Sequence, residues 1–256
     1  MTEHTYTVAR RGLELKFRRV RLAERSWQNG DYVRVRLHGA DLAGFDSPGH
    51  DDHIRIFFPT GPAETVEQLR AAPSREYTPL AWGEDWLDVE FVIHGEPGQR
   101  GVAAEWAASA PIGAVVGVGG PRGSLIIEGR PDAWFLVGDE TAVPAIRRIT
   151  ASLPQDAMGS VILEVADSAH HLAVDVPAGV AVHYVHRGFS PASAQLAARL
   201  DTLTAADRPT GDVFVFIAAE QSIVKPARAM ALTRWRLDPE RIVIKGYWKH
   251  GEPDTH

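Results

Sequence analysis

The chain has 256 residues, 45% of them hydrophobic and 23% charged, which is enough to bury one large core or two ordinary ones. A formal net charge of −6 leaves no global basic field for nucleic acid or an anionic membrane, so an anionic ligand has to be met by local basic groups. The absence of cysteine excludes disulfides, Cys-ligated zinc and Cys-ligated iron–sulfur clusters.

The first stretch, "MTEHTYTVARRGLELKF", is charged throughout and lacks the apolar centre of a signal peptide. No run reaches the length of a membrane span, and a cytoplasmic protein is expected. "DYVRVRLHG" (31–39), "HIRIFF" (53–58) and "LDVEFVIHG" (87–95) alternate apolar and polar residues with the period of a strand. Turn clusters such as "FDSPGHDD" (45–52) separate them, and "AVVGVGGPRG" (114–123) adds a strand with a glycine-rich exit. With one helix near "GVAAEWAASA" (101–110), this half reads as an antiparallel β-barrel, residues 1–129.

The pattern changes after "EGRPDA" (128–133). "WFLVG", "GSVILEVA", "VAVHYVH", "DVFVFIAA" and "RIVIKGYW" are continuously apolar strands. They alternate with the helical stretches "TAVPAIRRITASL", "PASAQLAARLDTL" and "SIVKPARAMALTRW". That alternation predicts a parallel, doubly wound α/β domain over 130–256.

Several short stretches invite chemistry. In "SREYTPLAW" (74–82), Arg75 and Tyr77 share one face of a strand and Thr78 lies on the other, a pairing suited to a ligand with a phosphate and a flat ring. In "HGEPGQRGVAAEWA" (94–107) a glycine-rich loop leads into a helix starting near Gly101 or Val102, whose amides can approach a phosphate. Trp106, on the same helix, reads as core. "GDETAVPAI" (138–146) follows the first strand of the second half, where open parallel sheets bind ligands, but it lacks G-x-G-x-x-G. Read locally, Thr141 is its N-cap and Pro144 lies in the first turn. Arg187, just past "VAVHYVH", reads as solvated, with a 2′-phosphate of NADPH as the alternative partner. "AHH" (169–171) reads as exposed loop rather than metal ligand, and "DDH" (51–53) as a turn former. No G-x-S-x-G elbow supports hydrolysis.

"REYTPL", "HG…GVAAEWA", "GPRGS" and "GDETAVPAI", in this order, resemble the siderophore-interacting protein family, and the likeness runs from "FDSPGHDDHIRIFFP" to "GYWKHG". These are FAD-dependent ferric-siderophore reductases related in architecture to ferredoxin–NADP reductases. The resemblance implies an N-terminal FAD-binding barrel and a C-terminal NAD(P)H-type domain. On the FAD side it implies Arg75 at the diphosphate, Tyr77 against the isoalloxazine and Thr78 near the reactive flavin nitrogen. Ile93 and His94 would lie beside the flavin, and Gly101, Val102 and Ala103 would present amides to the diphosphate. On the nicotinamide side it implies Asp139, Glu140, Thr141 and Ala145, with Tyr247 and Trp248 from the chain's last strand. Arg55, Arg122, Lys245 and Lys249 are its candidates for attracting an anionic ferric siderophore.

The implied activity is release of siderophore iron by reduction through FAD, with NADPH, NADH or a ferredoxin as donor. It calls for no protein acid, base or metal ligand, and the chain is expected to be a monomer. An NAD(P)H-dependent reductase acting on flavin, quinone or protein acceptors, and a siderophore-binding module without turnover, are the alternatives.

Overall fold

A computed structural model describes residues 5–252; residues 1–4 and 253–256, the ends of the two expected domains, lie outside the described residues. The chain divides into two compact units, Arg10–Ile126 and Met1–Ala9 with Ile127–His256. Both boundaries fall inside strands that pair with each other, β1 (Tyr6–Gly12) and β9 (Gly123–Gly129).

The first unit is built on a seven-stranded sheet of β2 (Phe17–Asn29), β3 (Tyr32–His38), β4 (Ile54–Phe57), β5 (Ser74–Tyr77), β6 (Pro79–Trp82), β7 (Trp86–Val92) and β8 (Val115–Gly119). Every pairing is antiparallel, in the order β5-β4-β8-β2-β3-β7-β6. The alternation in β3 explains its role. Val33, Val35 and Leu37 are fully buried in the core, whereas Arg34 and Arg36 face their cross-strand partners Glu90 and Asp88 at 2.8 and 2.7 Å.

The expected barrel is an open one. Its two edge strands, β5 and β6, are consecutive in sequence, and the sheet remains unclosed between them at Thr78. Helix α1 (Val66–Arg70) starts from a reciprocal capping box between Thr65 and Gln68, and α2 (Val102–Ser109) packs on the barrel core through Ala103, Ala104 and Ala107.

The other unit carries the parallel sheet. β10 (Ala133–Gly138), β11 (Gly159–Val165), β12 (Val180–His186), β13 (Val213–Glu220) and β14 (Ile242–Trp248) are ordered β12-β11-β10-β13-β14. β10 and β13 are central and buried along their whole length, as a sheet covered on both faces requires. The strand order reverses between them, at the place where doubly wound sheets open a ligand crevice. Helices α3 (Val143–Ala151), α4 (Ala194–Asp201) and α5 (Val224–Arg228) supply the crossovers.

Two local expectations are corrected. Asp139, not Thr141, caps the turn after β10, because its carboxylate accepts from the Thr141 amide; α3 begins only at Val143, with Pro144 in its first turn. The stretch 222–235 is not one α-helix: a 3-10 turn precedes α5, and a π-helical segment, Ala229–Arg234, follows it.

Candidate functional site

In the first unit, the residues of "REYT" stand at the open seam. The Tyr77 ring packs on Phe91 with centroids 4.3 Å apart, and Phe91 in turn meets Trp106 of α2 at 6.2 Å. Tyr77 is therefore a half-buried platform backed by aromatic rings, and Thr78, at the seam itself, is buried. The Arg75 side chain is half-buried and donates from Nη1 to the Ser74 carbonyl at 2.7 Å.

Helix α2 begins at Gly101 without any side-chain cap, leaving its first amides to a ligand or water. A Cβ on Gly101 would meet nothing within 4 Å, so a ligand can approach that backbone. His94 is exposed just before the loop, but the Ile93 side chain is buried and can offer a ligand only its backbone. A groove of about 480 Å³ runs beside α2, between Phe58 and Pro59 on one side and Val102 and Trp106 on the other. Trp106 is thus partly core and partly groove wall. An aromatic platform, a guanidinium and an uncapped helix start fit the ring and diphosphate of FAD.

In the second unit, the chemistry-bearing side chains gather at the C-terminal ends of β10, β13 and β14. Asp139 is 2% exposed and accepts hydrogen bonds from Thr141 Oγ1, the Glu220 amide (3.1 Å) and Trp248 Nε1 (2.8 Å). Burial, reinforced by the nearby Glu140 charge, pushes its pKa up to about 6 against the pull of these donors. The hydrogen bond to Asp139 fixes the edge of the Trp248 ring, which remains 37% exposed. Ala145 is fully buried in α3, and Tyr247 is half-buried. Gly138 lets the next turn close on the sheet, since a Cβ there would sit 2.9 Å from the Ala218 carbonyl.

Arg187 is not solvated, contrary to the sequence reading. Its guanidinium grips Glu140 through two hydrogen bonds of 3.0 and 3.1 Å and lies 3.5 Å from Glu164. Burial opposes its charge, but the two carboxylates outweigh that and raise its pKa. Glu164 is itself fully buried, its pKa raised by desolvation and held down by the amides of Ser193 and Leu196 at the start of α4.

Of the basic candidates, Arg55 and Arg122 belong to the first unit and Lys245 and Lys249 to the second. Arg55 is paired with Glu76 at 2.7 Å and donates to Ser74, and Lys249 is paired with Glu252. Arg122 is exposed, and Lys245 is half-buried with a partner of its own. His170 binds Asp167 at 2.7 Å, and His171 meets His186 at 2.8 Å. Among the described residues no three His, Asp or Glu side chains are grouped to hold a metal ion. Asp52, read as a turn former, is a buried hub that accepts from Ser47 Oγ, the Gly49 amide and Ser124 Oγ. Sequence reasoning missed Phe91, Glu164 and Glu220; a charged residue within an apolar strand was the available signal for the two glutamates.

Residues 30–125 match the siderophore-interacting FAD-binding domain, and residues 131–251 match the siderophore-interacting protein family. The ferric vibriobactin reductase ViuB of Vibrio cholerae is 30% identical over 239 residues, covering 86% of this chain and 84% of its own. The NADPH-dependent ferric-chelate reductase of Escherichia coli is 30% identical over 251 residues, covering 92% and 94%. The crystal structure of a siderophore utilization protein from T. fusca superposes with a TM-score of 0.85 at 29% identity, covering 97% of this chain and 98% of that one. The chain belongs to the siderophore-interacting protein family, and its open barrel is that family's FAD-binding domain. Among the described residues, no helix is long and apolar enough to cross a membrane.

Proposed function

We propose that this chain is an FAD-dependent ferric-siderophore reductase supplied with electrons by NADPH or NADH. The observation that carries the reading is the Tyr77 platform at the seam of the open barrel, in the same unit as the uncapped start of α2. The reductase names of two relatives matched over most of their length support it.

In this reading Arg75 and the amides of Gly101, Val102 and Ala103 hold the diphosphate, as guanidinium and helix N-terminus both favour phosphate. Tyr77 fixes the ring plane, Thr78 donates toward the ring edge, and the His94 side chain and Ile93 backbone border the ring. FAD, when bound, supplies the conversion of a two-electron donor into single electrons that Fe(III) accepts. Asp139, Glu140, Thr141, Tyr247 and Trp248 border the donor dinucleotide at the sheet's crevice, with Ala145 keeping α3 close behind them. Arg55, Arg122, Lys245 and Lys249 raise the local concentration of an anionic iron complex. Hard oxygen ligands hold Fe(II) far less tightly than Fe(III), so reduction alone frees the iron and no protein ligand for it is needed.

The test is to purify the protein with FAD and compare anaerobic turnover of ferric siderophores with that of quinones and free flavin. Iron complexes as the preferred acceptors support the reading. Preference for quinones, or a protein that takes up no FAD, contradicts it.

A further inference from the structure

We propose that His171 and His186 form a site for one divalent transition-metal ion, with two ring nitrogens as ligands and solvent completing the shell. The site lies wholly in the second unit, on the β12 edge of the parallel sheet, and does not rest on the proposed function.

The sequence brings the two rings to that edge from different elements. β12 alternates, so Tyr184 and His186 share one face while His183 takes the other. His171 comes from the loop after β11, where "AHH" sets two histidines side by side. They part company: His170 binds Asp167 at 2.7 Å, whereas His171 turns to His186 of β12.

Packing holds His171 in that orientation. Its ring stacks on Tyr184, with centroids 3.8 Å apart and planes inclined by 9°. Tyr184 is fixed in turn, because its hydroxyl donates to the Leu172 carbonyl at 2.7 Å. Leu172 is buried, and Arg147 of α3 holds the next carbonyl, that of Ala173, from Nε at 3.0 Å and Nη2 at 2.9 Å. His171 is thus exposed yet anchored, and an ion bound there orders little that is not already ordered.

Geometry then selects the ion. Nε2 of His171 lies 2.8 Å from Nε2 of His186, with ring centroids 5.1 Å apart. A tetrahedral ion with zinc–nitrogen bonds of about 2.0–2.1 Å sets the centroids of two imidazole ligands about 5.2 Å apart. The ring centres already stand where such an ion needs them, and tilting each ring opens the nitrogens to about 3.3 Å. Without the ion, one Nε2 donates to the other. On binding, that proton moves to Nδ1 of its own ring, leaving both Nε2 lone pairs to the metal. Imidazole suits zinc, copper and nickel, whereas magnesium and calcium prefer oxygen. Among the described residues no third His, Asp or Glu joins the pair, so the ion keeps open positions and binds less tightly than in a closed four-ligand site.

The test is calorimetric titration of ZnCl2 into tag-free, FAD-loaded protein, with MgCl2 as the oxygen-seeking control. Wild type should bind one Zn2+ per chain, and H171Q and H186Q should each weaken that binding by about tenfold or more. H183Q, on the other face of β12, should bind zinc as the wild type does, and Mg2+ should not compete. Heteronuclear NMR of the histidine side chains should show the Nε2 signals of His171 and His186 moving with zinc. No zinc binding up to about 1 mM, wild-type binding in H171Q or H186Q, or an equal loss in H183Q overturns the proposal. Because binding alone is read, the outcome is independent of whether the chain reduces iron.

Discussion

The ring of Tyr77 lies 4.3 Å from that of Phe91, tilted by 44°, and through Phe91 it is braced against Trp106 of α2. A platform supported from behind holds a stacked ligand with little loss of side-chain entropy on binding. Phe91→Ala should therefore damage two properties together. Stability should fall by about 3–5 kcal/mol, the usual range for emptying a buried aromatic site. FAD affinity should fall as well, because Tyr77 loses its orientation. Chemical denaturation and flavin titration of the refolded protein check both, and unchanged flavin affinity would separate Tyr77 from the cofactor.

Arg75→Ala should weaken FAD binding without unfolding the protein, since its one described hydrogen bond is to the neighbouring Ser74 carbonyl. A charge-assisted contact contributes about 1.5–3 kcal/mol, or roughly 10- to 150-fold in Kd. Fluorescence titration with FAD reads this directly, and retention of wild-type affinity removes Arg75 from the site.

Asp139 should make stability depend on pH. Its folded pKa of about 6 exceeds the unfolded value near 3.8, so the native state binds the proton more tightly. The advantage is complete below the unfolded pKa and is lost as pH rises through the folded one. Relative to Asp139→Asn, wild-type stability should fall by on the order of 3 kcal/mol between about pH 4 and pH 7. Urea denaturation of both proteins across that range checks it; a constant difference would mean that Asp139 titrates normally.

Asp52 gathers three donors in the barrel unit, and Gly49 is packed so closely that an added Cβ would lie 2.7 Å from the Leu125 carbonyl and against the Asp52 carboxylate. Asp52→Ala strands those donors, and Gly49→Ala collides with backbone. Each should lower the unfolding free energy, Asp52→Ala by about 2–4 kcal/mol, read as a lower denaturation midpoint with an unchanged m-value. A neutral Asp52→Ala would mean the hub is not needed for folding.

The ion pairs of the basic candidates predict which substitutions reach the substrate. Glu76 compensates Arg55, so Glu76→Gln should lower KM for an anionic ferric siderophore, while Arg55→Gln and Lys249→Gln should raise it. Steady-state kinetics at low and high salt measure this. Identical KM values in all three variants would remove these residues from the substrate's path.

What the sequence disclosed followed from local periodicity. Alternation in "DYVRVRLHG" marked the inward Val33, Val35 and Leu37, continuous apolar runs marked the parallel strands, and Gly101 marked the start of α2. What it concealed depends on long-range pairing. The barrel's open seam between β5 and β6 comes from partners far along the chain, and the Asp139–Trp248 bond spans 109 residues. Thr141 looked like a cap because hydroxyl and carboxylate residues compete for that role, and the carboxylate two residues further from the helix won. Arg187 looked solvated because neither Glu140 nor Glu164 is near it in sequence.

The most direct measurement is a single anaerobic turnover. The FAD-loaded protein is reduced, mixed with excess ferric siderophore, and followed through flavin absorption and an Fe(II)-specific chelator. The account predicts that flavin reoxidation and Fe(II) appear at the same rate, with about two Fe(II) per flavin. Flavin that stays reduced in the presence of the iron complex, or reoxidises without releasing Fe(II), would contradict it.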